Sequence, residues 1–290
     1  MLKRFSLLST LLVFMLANHT AKAQGFKFGV HVAPVISLMG SDYKQVENKA
    51  VNVGLNVGVE VEYYLAEGEN YAITFGLDFA LNKGGTLLYK YGGTLMPISE
   101  LDRNTFADAL GASPTDGTDV DMQAFTRINY RVNYLELPIG LKLRTNELGS
   151  SYMRAFFHLP IVKIGIPVNA SASIYAPDSN EEDYIEDAFG FAIKDSESPS
   201  KEPNVWKDAT PIQFSIGMGA GVEYAPNADG GLRLFAGIYY DAGLIDVTNG
   251  FTGDKVRLRE PNTTLGSSGE VTRNPTNMLH NIALRVGVTF

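Results

Sequence analysis

His31, His158 and His280 are the histidines beyond the first two dozen residues, and they are the side chains best suited to move protons near neutral pH. A hydrolase or acyltransferase built on one of them needs a serine nucleophile within reach and a carboxylate behind it. None stands in a Gly-x-Ser-x-Gly context, so no catalytic residue is expected. Cysteine is absent, which removes disulfides, thiolate metal sites and cysteine nucleophiles together. Of two acidic runs, Asp116 to Asp121 carries carboxylates at calcium-like spacing, and Glu181 to Asp187 is a second acidic cluster. The first lacks the order of an EF-hand loop. They read as solvated loops and no metal site is expected; the alternative is divalent cations bridging them to lipopolysaccharide. No cofactor is expected either. The remaining chemistry lies in charges set singly between apolar residues: Lys27, Glu60, Glu62, Asp78, Glu136, Lys142, Arg144, Lys163, Glu223, Arg233, Asp241 and Arg285. Both signs are present, and the chemistry they suit is mutual ion pairing.

The elements that carry these charges alternate with period two, the mark of β-strands with two unlike faces. Over 51–63, Val51, Val53, Leu55, Val57, Val59, Val61 and Tyr63 share one face, and Asn52, Asn56, Glu60, Glu62 and two glycines share the other. Similar alternation runs through 25–35, 71–82, 135–144, 212–224, 232–240 and 282–290. An eighth strand is expected over 152–168. Its apolar phase slips near Ile161 and Val162 and it holds Pro160 and Pro167, which a β-bulge would explain.

The connections divide by length. Those at 65–70, 145–151 and 226–230 are turn-like, whereas 38–50, 85–128, 170–209 and 247–276 are long and polar. Strict alternation of long and short connections predicts an eight-stranded antiparallel up-and-down transmembrane β-barrel, with long outer loops on one rim and short turns plus both termini on the other. Short helices are expected inside two loops. Ser99 to Leu110 and Ser179 to Phe189 each begin with a capping-box pattern and stop at glycine.

Four features turn the apolar face outward rather than into a soluble sandwich core. The polar face holds small residues and charges, as a narrow lumen requires. Phe26, Tyr63, Tyr71, Tyr152, Tyr224 and Phe290 gather at the short-turn rim as an interfacial girdle. Lys3 and Arg4, the apolar run Leu7 to Ala17 and Ala21-Lys22-Ala23 form a signal peptide with a cleavage site, so 1–23 is expected to be removed and 24–290 to form one barrel domain. Phe290 closes the last alternating strand, the position that barrel-assembly machinery reads. No internal apolar run is long enough for a spanning helix. The formal charge is −8, and loss of Lys3, Arg4 and Lys22 makes the rest more acidic, which excludes nonspecific nucleic-acid binding.

The stretch Asn133 to Leu143, with Tyr134, Leu135, Glu136, Leu137 and Pro138 at its centre, resembles the Tyr-Leu-Glu-hydrophobic-Pro strand of PorT-family outer-membrane barrels. Phe28-Gly29-Val30-His31, the Gly217 to Gly221 strand and Phe290 are similar to that family as well. The resemblance implies an eight-stranded barrel in the bacterial outer membrane and, as an alternative function, an accessory role in type IX secretion. The residues themselves suggest a non-enzymatic barrel whose lumen is plugged by ion pairs and whose outer loops meet an envelope or surface partner. A narrow pore is the other alternative. Expected partners are outer-membrane lipid, the assembly machinery during biogenesis and an unidentified loop-binding partner.

Overall fold

The structure is a computed structural model, and it describes residues 25–65, 69–95, 124–149, 151–175, 185–187, 190–192, 200–202, 205, 209–226, 231–248, 256–258, 271–272 and 275–290. The strands, in chain order, are β1 (Phe26–Ser41), β2 (Val46–Tyr64), β3 (Tyr71–Leu95), β4 (Ala124–Arg144), β5 (Met153–Tyr175), β6 (Ile185–Asp187), β7 (Gly190–Ala192), β8 (Ser200–Glu202), β9 (Gln213–Tyr224), β10 (Arg233–Gly243), β11 (Val256–Leu258), β12 (Val271–Thr272) and β13 (Asn277–Thr289).

The eight long strands pair antiparallel, each with its neighbour in the chain, in the ring β1-β2-β3-β4-β5-β9-β10-β13. β13 returns to β1, with Gly29 opposite Thr289 and Ser41 opposite Asn277. The closure runs to the last residue, because Phe28 and Phe290 exchange backbone hydrogen bonds of 3.0 and 2.8 Å. The barrel is all-β and eight-stranded. A closed ring leaves no bare edge in the wall, which is the condition for strands to stand in hydrocarbon.

Within the belt, the apolar face of every long strand is turned outward. Phe28, Val30, Val53, Val57, Phe75, Leu77, Phe79, Leu137, Ile139, Val162, Ile166, Phe214, Ile216, Ile238 and Leu284 are all exposed. On β4 the outward belt runs from Leu135 to Leu143, close to the ~9–11 residues a tilted strand needs to cross a membrane. Phe26, Tyr63, Tyr71, Tyr152 and Tyr224 are exposed at the short-turn rim, with the Phe26 and Tyr63 rings 4.8 Å apart.

β5 carries the expected bulge. Its register against β9 shifts between His158 and Ile161, at a cis Leu159–Pro160 bond. The shift turns Ile161 inward and leaves Val162 outside.

Four expectations about the outer rim need correction. The connection expected over 38–50 is a hairpin whose strands reach Ser41 and restart at Val46. The loop expected over 85–128 is strand at both ends, up to Leu95 and from Ala124, and the one over 170–209 begins with strand to Tyr175. β3, β4 and β5 thus have 25, 21 and 23 residues against 12, 11 and 13 for β9, β10 and β13. Within the segment expected as a helix over 179–189, Ile185–Asp187 is a strand paired with Gly190–Ala192. A helix of that length is marginal without packing, and a tight hairpin satisfies the same backbone groups. The helix expected over 99–110 lies outside the described residues, as do 1–23 and the run Asp116 to Asp121.

Above the apolar belt, β3 to β5 continue as a wall extended by short strands. β11 pairs with β3 beyond the end of β2, β12 pairs with β11, and β8 pairs with β5 beyond the end of β9. The inner face of this wall carries Leu87, Tyr89, Phe125, Ile128, Tyr130, Val132, Ala172 and Ile174. Val205, Ala209, Val247, Val256, Leu258 and Met39 cover it.

Candidate functional site

Even-numbered residues of β4, and of β2 from Asn52 onward, face the lumen, and their charges meet those of the opposite wall. At the short-turn mouth, Glu69 sits on the β2–β3 turn with a left-handed φ of 55°. From there it meets Arg233 of β10, Lys27 of β1 at 3.2 Å and Arg154 of β5 at 3.7 Å. One carboxylate therefore ties together strands on different sides of the mouth. Burial pushes the Glu69 carboxyl up. The hydrogen bond and charge of Arg233, with Lys27, more than offset this and hold it below the ordinary carboxylate value.

The next layer is denser. The Lys142 ammonium lies 2.6 Å from Glu62, 2.7 Å from Glu223 and 3.8 Å from Glu60. Arg144 donates to Glu62 at 2.5 Å and through Nε to Glu223 at 2.6 Å, while the Tyr64 hydroxyl donates to Glu62 at 2.8 Å. Arg285 links Glu60 at 3.4 Å to Asp78 at 3.3 Å, and Asn56 donates to Asp78. Higher still, Lys163 meets Asp241 at 2.7 Å and Lys83 meets Glu136 at 2.5 Å. Of the twelve charges singled out in the sequence, all are buried except Lys27, half-buried at the mouth, and each has an oppositely charged partner.

Aromatic rings fill the space between these groups. Phe156, Phe235 and Tyr239 pack with Ala33, Val35, Ile161 and Ala283 in mid-lumen. Lys142 lies 4.6 Å from the Phe156 ring and Arg285 4.4 Å from the Tyr239 ring, within cation–π range. The glycines of β9 and β13 make room for the rings. A Cβ on Gly219 would come within 2.4 Å of Tyr239, one on Gly221 within 2.6 Å of Phe156, and one on Gly287 within 2.6 Å of Phe235. In the Gly-x-Gly run, Gly219 and Gly221 thus make room for rings, while Gly217 lies against Asp241 and the Tyr240 backbone.

The polar column stops at Tyr134. Above it the lumen is mostly apolar, with a cavity of about 10 Å³ among Met39, Gly84, Tyr130, Val132, Ala170, Val205 and Val247, room for the centre of roughly one water. Loops are fastened over it. Val205 donates to the Ala170 carbonyl at 2.9 Å, and Val247 to that of Asn277 at 2.9 Å. Asp246 accepts from the backbone of Thr248 and of Asn277.

The histidines have separate partners. His31 is 3.2 Å from Asp78, His158 shares a 2.6 Å hydrogen bond with Thr74, and His280 stacks on Tyr240 at the outer edge of the belt. No cluster of three or more metal-ligating side chains occurs among the described residues. Among the family-motif residues, Tyr134, Glu136 and Pro138 face inward, and Leu135 and Leu137 outward.

Sequence reasoning missed Lys83, Glu69 and Arg154. By strict alternation Lys83 belongs with the outward residues Leu77, Phe79 and Leu81. The left-handed Asn82 (φ 57°) and Gly84 (φ 142°) form a bulge that turns it inward. The Asn82-Lys83-Gly84-Gly85 sequence was the available signal.

A family model described as outer membrane protein beta-barrel domain matches residues 21–249. No curated protein matches the chain. Solved structures that match include Neisserial surface protein A, at 11% identity over 90% of this chain and 95% of that one, with a TM-score of 0.35. The Ail attachment invasion locus protein of Yersinia pestis matches at 9% identity over 92% and 100%, with a TM-score of 0.35. A major outer membrane protein of Thermus thermophilus matches at 16% over 91% and 98%, also with 0.35.

Proposed function

Since the chain belongs to the outer membrane protein beta-barrel domain family, we propose that it is a closed, non-enzymatic outer-membrane barrel whose long-loop rim binds an envelope or surface partner. One observation carries the reading: the lumen is blocked twice, by ion pairs and rings below and by an apolar core under fastened loops above. A wall of strands raised well past the apolar belt suits the display of loops; it adds nothing to crossing a bilayer.

In this reading 1–23 directs export and is removed, and 24–290 is the barrel. The termini and short turns face the periplasm, the long loops face outward, and Phe290 closes the strand that the assembly machinery engages. Planar-bilayer recording of the folded barrel should show no stepwise conductance, and stable unitary steps would replace this reading with the narrow pore. Protease added to intact cells should cut within 96–123 or 176–199 and leave the barrel whole; complete protection would reverse the orientation.

The likeness of Asn133 to Leu143 to PorT-type strands supports a finer placement in that family, and with it a second reading as a secretion accessory. Loss of the protein would then leave type IX cargo inside the cell, and normal export would exclude that role.

A further inference from the structure

The outward surface of the raised wall differs in charge from the rest of the molecule. On β4 the outward series runs through the belt as Ile139, Leu137 and Leu135, then changes to Asn133, Arg131, Asn129 and Arg127. On β5 the same change falls between Val168 and Asn169, followed by Ser171 and Tyr175. On β2, Lys49 is exposed at the register shift between Asn48 and Ala50, just past Val51 and Val53. These positions are neighbours: Arg131 pairs with Gly84 and Ser171, Asn129 with Thr86 and Ser173, and Arg127 with Tyr175. On β3, the small, buried Gly84 and Thr86 lie opposite Arg131 and Asn129, and Leu88 lies opposite Arg127.

Lys49 and Arg131 are exposed, and the Arg127 guanidinium lies 3.7 Å over the Tyr175 ring. Among the described residues of this face the one carboxylate is Glu47, and it is paired with Lys90 at 2.6 Å. The face is therefore basic on a chain of formal charge −8. The rim across the barrel, where β9, β10, β13 and β1 end near the top of the belt, carries Asp42, Lys44 and Asp246.

We propose that the outward face of β2 to β5 just above the apolar belt binds the phosphate of an anionic lipid. Lys49, Arg127 and Arg131 meet the headgroup, and the acyl chains lie on Val51, Leu81, Leu135 and Val168 directly below. The argument is charge complementarity joined to position: cations bordering hydrocarbon sit at the depth of headgroup phosphates. Asn133, Asn169 and Ser171 add neutral hydrogen-bonding groups beside them. The inference rests on the reading that the apolar belt faces lipid.

The test is native mass spectrometry of the delipidated full barrel in detergent, titrated with phosphatidylglycerol or phosphatidylcholine. The unaltered protein should retain phosphatidylglycerol about tenfold better. Lys49→Gln/Arg127→Gln/Arg131→Gln should lose that preference while keeping heat-modifiable gel mobility. Should the triple variant fail to fold, Arg131→Gln alone, at an exposed position, should reduce the preference severalfold. Equal retention of the two lipids, or an unchanged preference in the variants, overturns the site. Displacement of the lipid by an equal concentration of inorganic phosphate also overturns it, because the ligand would then be the free ion. A barrel that folds and stays soluble without detergent defeats instead the membrane reading beneath it.

Discussion

The lower barrel and the raised wall are built from the same strands with opposite hydropathy. In β4 the belt segment holds Glu136, Lys142 and Arg144 inside and Leu135, Leu137 and Ile139 outside. A few residues on, Ile128, Tyr130 and Val132 are inside and Arg127, Asn129 and Arg131 outside. The inward phase of β4 is continuous through the change, so the backbone does not cause it. The surroundings do. Hydrocarbon outside asks for an apolar skin and leaves the polar groups to satisfy one another within, whereas water outside restores the ordinary arrangement of apolar core and polar surface. The two halves should therefore fail for different reasons.

Removing one charge from the lower half should have the largest effect. Lys163 and Asp241 form a buried pair at 2.7 Å. Lys163→Met leaves the carboxylate uncompensated and should destabilise the barrel by about 3–5 kcal/mol. Adding Asp241→Leu should recover most of that loss, since an apolar pair needs no counter-charge. Urea titration of the lipid-reconstituted barrel, followed by heat-modifiable mobility, measures both. If the double variant is no better than the single one, the lower lumen does not behave as a set of paired charges.

Two further changes separate skin from core. Ile139→Lys puts a charge near the middle of the belt and should cost about 2–4 kcal/mol in a bilayer. Ile128→Ala, at a fully buried site in the raised wall, should cost about 2–4 kcal/mol through lost burial and a residual cavity. Their dependence on surroundings should differ. Moving from a thick to a thin bilayer should relieve Ile139→Lys and leave Ile128→Ala unchanged; equal relief of both would mean that the wall is also embedded in lipid.

Much of the lower half was legible in the sequence because hydrocarbon imposes a uniform rule. Wherever the skin is apolar, alternate residues such as Glu62, Lys142 and Arg285 must face in. The wall was read as loop because its pattern is inverted and shorter. Segments such as 124–133, with polar residues outward and tyrosine inward, look like irregular polar sequence beside the strong alternation of 135–144. The inward rings of Phe156 and Phe235 were hidden for a related reason: they sit among outward aromatics of the same type. Their trace is the set of glycines opposite them, Gly219, Gly221 and Gly287, whose purpose emerges only once strand pairing is known. Glu69 was unreadable because a turn residue has no face until the turn folds under the mouth.

Glu69 gives the smallest effect and the one that acts outside the membrane. Its folded carboxyl lies below the ordinary value of about 4.3, where the unfolded chain sits. The carboxylate's contribution is therefore complete above that unfolded value and is lost as pH falls through the lower folded one. Glu69 is partly exposed, so solvent screens its ion pairs and the effect is modest. Glu69→Gln should lower the unfolding midpoint slightly at pH 7, and the difference from the unaltered barrel should vanish in strong acid. The paired charges higher in the lumen also respond to acid, but they respond in both proteins, so the difference between the two curves isolates the mouth. A difference that persists unchanged to the lowest pH would show that Glu69 holds the turn by packing rather than by its charge.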